Sequence, residues 1–193
     1  MTLCLATRNT HKLEEIRAKL GNRFRLISLD DVGCTEELPE TADTIPGNSL
    51  QKAQFVFEHY NVACVADDSG LEIDALGGAP GVHSAYYAGP QRSHEDNIQK
   101  VLDELRNTTL RSAQFRTVLT LVTANGIQVF EGILNGNILY EPRGKNGFGY
   151  DPIFQPEGID LSLAQLSLEE KNKISHRARA IEKLVSYFQT NSL

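Results

Sequence analysis

Asn125-Gly126 separates two β-rich runs, Phe115–Val122 and Ile127–Leu134. Asn-Gly in that setting is the strongest short signal for a tight hairpin, because both residues tolerate positive φ. An antiparallel pair is therefore expected late in the chain. The early chain alternates instead. Leu3–Ala6 reads as a strand, and Leu13, Ile16 and Leu20 recur at helical spacing. Phe24–Leu29 reads as a second strand. Asn48–Tyr60 reads as a helix with Ala53, Val56, Phe57 and Tyr60 on one face. Such alternation implies parallel pairing. Parallel and antiparallel signals together predict an α/β fold built on a mixed sheet with flanking helices.

Further elements follow from the same patterns. Val62–Ala66 reads as a third strand that ends at Asp67-Asp68-Ser69-Gly70, and Leu71–Ala75 then alternates as a fourth. Gly77-Gly78-Ala79-Pro80-Gly81 is a backbone-dominated loop. Ser93, with Asp96 three residues on, opens a helix lined by Ile98, Val101, Leu102 and Leu105. Tyr150–Phe154 reads as a short strand. Ile181, Leu184, Val185 and Phe188 define a last helix that Ser175 can cap.

Composition narrows the function. With 193 residues, 40% of them hydrophobic, the chain suits a single domain over 1–193 and excludes disordered and fibrous classes. No apolar run approaches the ~20 residues that span a bilayer. Met1 to Arg8 shows no basic start leading into a long apolar stretch, so no secretory signal is expected. A net charge of −6 argues against a nucleic-acid groove. A small anion held by local cations or a metal stays open. Cys4, Cys34 and Cys64 form no C-x-x-C and read as reduced thiols of a cytoplasmic protein.

Four constellations carry chemistry. Thr7-Arg8-Asn9-Thr10-His11-Lys12 lies between a strand and a helix. Helix N-terminal amides, short donors and two cations there suit a phosphate, although the G-K-[ST] ending of a Walker loop is absent. A solvated, Asn-capped turn fits the same residues. Asp67 and Asp68 are adjacent, so in an extended segment they point to opposite faces. One can then ligate Mg2+ or orient a water while the other holds backbone; an Asp/Ser/Gly turn is the plain alternative. Phe148-Gly149-Tyr150-Asp151-Pro152 offers aromatic faces for a base and a carboxylate for base N–H groups, or else simply starts a strand. Lys171 and Ser175-His176-Arg177 set cations near the start of the last helix, against its dipole. A bound acceptor-rich ligand would offset that cost; a solvated charged face is the alternative. Taken together these are the parts of a nucleotide site.

The chain resembles the inosine triphosphate pyrophosphatase family, the noncanonical purine NTP pyrophosphatases, nearly end to end from Leu3 to Phe188. The resemblance rests on Ala66-Asp67-Asp68-Ser69-Gly70-Leu71, Gly77 to Ala85, Gly147 to Phe154 and Glu170 to Arg177. It implies a long twisted mixed sheet with flanking helices, two lobes around a central cleft, and a cytoplasmic homodimer. It implies Mg2+-dependent hydrolysis of ITP, dITP and XTP to the monophosphate and pyrophosphate, which removes deaminated purines from the nucleotide pool. By position, Thr7, Arg8, Asn9, Thr10, His11 and Lys12 match the motif that holds the triphosphate. Asp68 matches the general base and metal partner, and Glu40 the other acidic metal ligand. Ser69, Phe148, Gly149, Tyr150, Asp151, Lys171, His176 and Arg177 match substrate contacts. Many relatives carry Glu where this chain has Gly47, and Arg where it has Tyr86; Arg8 replaces a smaller residue. The alternatives are a pyrophosphatase for other modified bases and a non-catalytic nucleotide-binding module.

Overall fold

The computed structural model describes residues 2–8, 13, 16, 17, 20 and 24–191. Its strands are β1 (Thr2–Leu5), β2 (Arg25–Ile27), β3 (Cys64–Ile73), β4 (Ser112–Thr123), β5 (Gly126–Ile138) and β6 (Phe154–Pro156). They form a six-stranded sheet in the order β2-β1-β3-β4-β5-β6. β1 pairs in parallel with β2 and with β3, and β6 pairs antiparallel with β5. The mixed α/β sheet expected from the sequence is therefore present. The named helices are α1 (Ile45–Tyr60), α2 (His94–Glu104), α3 (Leu168–Ile174) and α4 (His176–Thr190). Leu13, Ile16, Arg17 and Leu20 are helical as well. Among the described residues, no helix is long and apolar enough to cross a membrane.

The chain divides into two compact units. The first holds the chain up to Asp68, Thr117–Gly132, and the chain from Arg177 onward. One of its cores packs Leu3, Leu5 and Val65 with Ile16, Leu20, Ile181, Leu184 and Phe188. The other packs Cys4, Ala6, Cys64 and Ala66 with Cys34, Ala53 and Val56 of α1. Alternation along β1 and β3 sends successive side chains into these two cores. Cys4 and Cys64 are register partners on neighbouring strands, and all three cysteines are buried thiols.

The second unit comprises Ser69–Arg116 and Ile133–His176. Its core joins Leu71 and Ile73 to Val101, Leu105, Phe115, Tyr150 and Phe154. Arg111 ties this unit together. Its guanidinium donates to the carbonyls of Leu105 at 3.0 Å, Ile138 at 2.9 Å and Leu139 at 2.6 Å. Burial pulls its pKa down, partly offset by Tyr140, whose ring it overlies at 4.4 Å.

Four local expectations are corrected. β3 runs unbroken through Asp67-Asp68-Ser69-Gly70, where a turn between two strands is expected. β1 accompanies β3 only as far as Leu5 opposite Val65, and the strand continues through the aspartate pair beyond that ladder, against the local turn preference of Asp, Ser and Gly. α1 starts at Ile45, because Thr44 caps it by accepting the Gly47 amide at 3.1 Å and Pro46 suits the first turn. Asp151–Ile153 is a 3-10 turn, and only Phe154–Pro156 is strand. α3 is an extra helix, fixed by a capping box in which Ser167 accepts the Glu170 amide and Glu170 accepts the Ser167 amide.

Arg111→Met keeps the apolar stem but leaves three carbonyls without their donor. Urea unfolding is expected to show a loss of about 3 kcal/mol with an unchanged slope.

Candidate functional site

In the first unit, α1 turns an unusual set of side chains inward: Asn48, Ser49 and Lys52 lie buried beside Ile45, Ala53 and Val56. Ser49 Oγ sits 3.1 Å from the carbonyl oxygens of Ala66 and Val118 and 2.8 Å from Thr120 Oγ1. It locks the helix to β3 one residue before the aspartate pair. Asn48 Oδ1 accepts the Ala42 amide, and Gln51 Oε1 the Thr41 amide, each at 2.9 Å. These bonds hold the segment that follows Glu40 along the helix. Gly47 belongs to the same packing. A Cβ there would lie 2.6 Å from the Ala42 Cβ and 2.9 Å from Thr44 Oγ1. The small residue at 47 is thus a packing requirement of this chain.

Lys52 is the centre of the arrangement. It is only 6% exposed. Its Nζ is hydrogen-bonded to Glu40 Oε1 and lies 3.6 Å from Asp68 Oδ1. Burial alone would depress its pKa, but Asp67, Asp68 and Glu40 outweigh that and raise it. Asp67 is buried and Asp68 is partly exposed. The Lys52 ammonium is thus shared by Glu40 and Asp68, with Asp67 adding to its field.

Lys52 is not among the residues the sequence singles out. Its helical spacing to Ile45, Ser49 and Val56 is the signal that places it on the inward face. Arg8, expected at the phosphates, binds two backbone carbonyls in this structure. Its Nη2 donates to the carbonyls of Cys34 at 2.8 Å and Glu36 at 3.1 Å, and so braces the stretch leading to Glu40. Thr7 precedes it. Asn9, Thr10, His11 and Lys12 lie outside the described residues. Arg177 is buried in the first turn of α4.

In the second unit, Gly147–Asp151 forms a tight turn around a buried carboxylate. Asp151 is 3% exposed. Its Oδ2 accepts the Phe148 amide at 2.9 Å and forms an ion pair with Lys171. Gly147 has φ +75°, and a Cβ there would collide with that same Oδ2. Lys171 Nζ also stands 4.5 Å above the Phe148 ring. It sits in the last turn of α3, where the helix dipole favours a cation, so the opposed-dipole cost expected from the sequence does not apply to it. Phe148 keeps 45% of its surface exposed. Tyr150 points the other way. Its ring is in the core, and its hydroxyl donates to the Ser84 carbonyl at 2.8 Å. Ser84 Oγ in turn accepts the Leu71 amide at 2.9 Å, two residues beyond Ser69. His176 is buried and stacked on Phe115, with centroids 5.0 Å apart and planes 13° from parallel.

The two clusters differ in chemistry. Glu40, Lys52, Asp67 and Asp68 form a hard, charged set suited to phosphate and divalent cations. Phe148, Asp151 and Lys171 offer one exposed ring held by a buried ion pair, suited to a flat heterocycle.

Known proteins share this arrangement of sequence and fold. A protein of Flavobacterium psychrophilum named dITP/XTP pyrophosphatase is 49% identical, over 98% of this chain and all of its own length. One of Porphyromonas gingivalis with the same name is 50% identical over 94% of each chain. The structure of the Staphylococcus aureus Ham1 protein covers both chains completely, with a TM-score of 0.95 at 37% identity. A profile of the Ham1 family matches residues 3–187. The chain belongs to the Ham1 family.

Proposed function

We infer that this protein hydrolyses ITP, dITP and XTP to the nucleoside monophosphate and pyrophosphate. The observation that carries the reading is the pairing of Glu40 and Asp68 with the buried Lys52, in a chain whose relatives are named dITP/XTP pyrophosphatases. Asp68 follows the buried Asp67 within β3, and its carboxylate lies 3.6 Å from the Lys52 ammonium. It orients a water for in-line attack on the α phosphorus and takes its proton. Lys52 keeps Glu40 and Asp68 from repelling one another while no substrate is bound.

Mg2+ fits the donor set. Among the described residues no group of three or more His, Cys, Asp or Glu side chains forms a metal cage. Mg2+ commonly takes one or two carboxylates and completes its shell with substrate phosphates and water. Glu40 and Asp68 would hold it. Bound there, it supplies charge neutralisation for the departing pyrophosphate.

Phe148 provides the stacking surface for the base, kept in place by Asp151 and Lys171. His176 and Arg177 supply donors for O6, which hypoxanthine and xanthine share and which adenine replaces with an amine. Donors left facing that amine can reject it by about 10⁴-fold. Ser69 and the segment from Thr7 to Lys12 complete the substrate contacts. The proposal includes a single domain over 1–193 acting as a cytoplasmic homodimer, as the resemblance implies.

Pyrophosphate release from ITP, XTP, dITP, GTP and ATP, each with and without Mg2+, tests the reading. Strong Mg2+-dependent release from the first three alone is expected. Equal release from all five would refute the base selection, and none from any would leave a binding module. Asp68→Asn is expected to lower kcat by about 10²–10⁴-fold with an unchanged thermal midpoint; a fully active variant would remove Asp68 from its role.

A further inference from the structure

Three thiols meet in one core of the first unit. Cys4, Cys34 and Cys64 are fully buried among Ala6, Ala53, Val56 and Ala66. The hydrolysis uses none of them. Two of the three form a pair. Cys4 of β1 and Cys64 of β3 are register partners on parallel strands, so their side chains leave the sheet on one face. Neighbouring strands lie about 4.8 Å apart, within the α-carbon span that a disulfide bridges. The two thiols are hydrogen-bonded to each other, which pulls the Cys4 pKa down, while burial pushes that of Cys64 up. Cys34 is turned elsewhere, with its Sγ 3.8 Å from the Glu36 carbonyl oxygen.

We propose that Cys4 and Cys64 are a redox pair, which a small peroxide closes into a disulfide across β1 and β3. The Cys4 thiolate attacks one peroxide oxygen, and the O–O bond breaks. Cys4 becomes a sulfenic acid, and the hydroxide that departs takes up the thiol's proton as water. The Cys64 sulfur then attacks the Cys4 sulfur, and its proton leaves with the displaced hydroxyl as a second water. One peroxide is reduced to two waters while two thiols are oxidised to one disulfide. The way in is the sheet edge. β2 is an edge strand of three residues, and Cys4 Sγ lies 3.7 Å from the carbonyl oxygen of Ser28, which directly follows it. Opening so short an edge costs less than unfolding the whole unit.

Closure reaches the proposed site along the strands. Asp68 follows Cys64 within β3, and Thr7 follows β1. A disulfide brings β carbons to about 3.8 Å, so the two strands draw together at that rung. This consequence rests on the reading of Asp68 as the group that orients water.

The test treats folded protein with hydrogen peroxide, then unfolds it, alkylates free thiols and weighs the tryptic peptides. Arg8, Arg25 and Lys52 place the three cysteines on separate peptides. The expected product is a linked Cys4–Cys64 pair, lighter by two hydrogens than its separate peptides, with Cys34 alkylated. Dithiothreitol should release it. Cys34→Ala should form the same link and Cys64→Ala none. In the linked protein kcat for ITP should fall about tenfold and recover on reduction. Thiols that all remain alkylatable, oxygen added to Cys4 without a link, or a link through Cys34 would each overturn the pair. A linked protein with unchanged kcat overturns its effect on the site. If reduced protein does not hydrolyse ITP, the substrate reading fails, and the peptide masses still decide whether the pair exists.

Discussion

The ammonium group of Lys52 is buried against the carboxylates of Glu40 and Asp68, with Asp67 adding to the field that raises its pKa. A charge in that position is tolerable only if it is paired, and like carboxylates are tolerable so close only if something neutral or positive lies between them. Much of the first unit follows from this requirement. α1 must present polar side chains inward, so Asn48 and Ser49 each find a backbone partner. The stretch after Glu40 must run against the helix, so position 47 has room only for glycine. β3 must stay extended through the aspartates, so that Asp67 and Asp68 keep fixed and opposite directions. Under the proposed function, Glu40 and Asp68 at Lys52 are the carboxylates that a divalent cation and its phosphates would complete.

The second unit solves a different problem, namely how to display an aromatic ring in a defined pose. It buries the carboxylate of Asp151 inside the turn and lets it bind both the Phe148 amide and the Lys171 ammonium. Lys171 then reaches over the Phe148 ring, so one cation serves the turn and the ring together. Tyr150, next to the exposed ring, is spent entirely on anchorage. In the pair Phe148 and Tyr150, exposure divides the roles that composition leaves equal.

Periodicity was enough to read most of the architecture. The β-α alternation, the Asn125-Gly126 hairpin and the apolar stripe of the last helix all appear where their spacing places them. Local signals failed where tertiary pairing prevailed. Asp67-Asp68-Ser69-Gly70 has turn composition, yet lies inside the unbroken strand Cys64–Ile73. α3 spans only two turns with no buried residue, so it has no periodic stripe, and its Ser167–Glu170 box was the one sign available. Asp68 and Glu40 were legible through motif and resemblance. Lys52 was not, because a search for apolar spacing passes over a lysine even when it shares the inward face. For Arg8 the sequence shows the charge, and only the fold shows the carbonyls of Cys34 and Glu36 that it binds.

The central claim is that Asp68, fixed by its strand and balanced by Lys52, directs water onto the α phosphorus of the nucleotide. Hydrolysis of ITP in ¹⁸O-labelled water, with both products analysed by mass, tests it most directly. The account predicts label in the inosine monophosphate and none in the pyrophosphate. Label in the pyrophosphate would mean attack at the β phosphorus, and would contradict it.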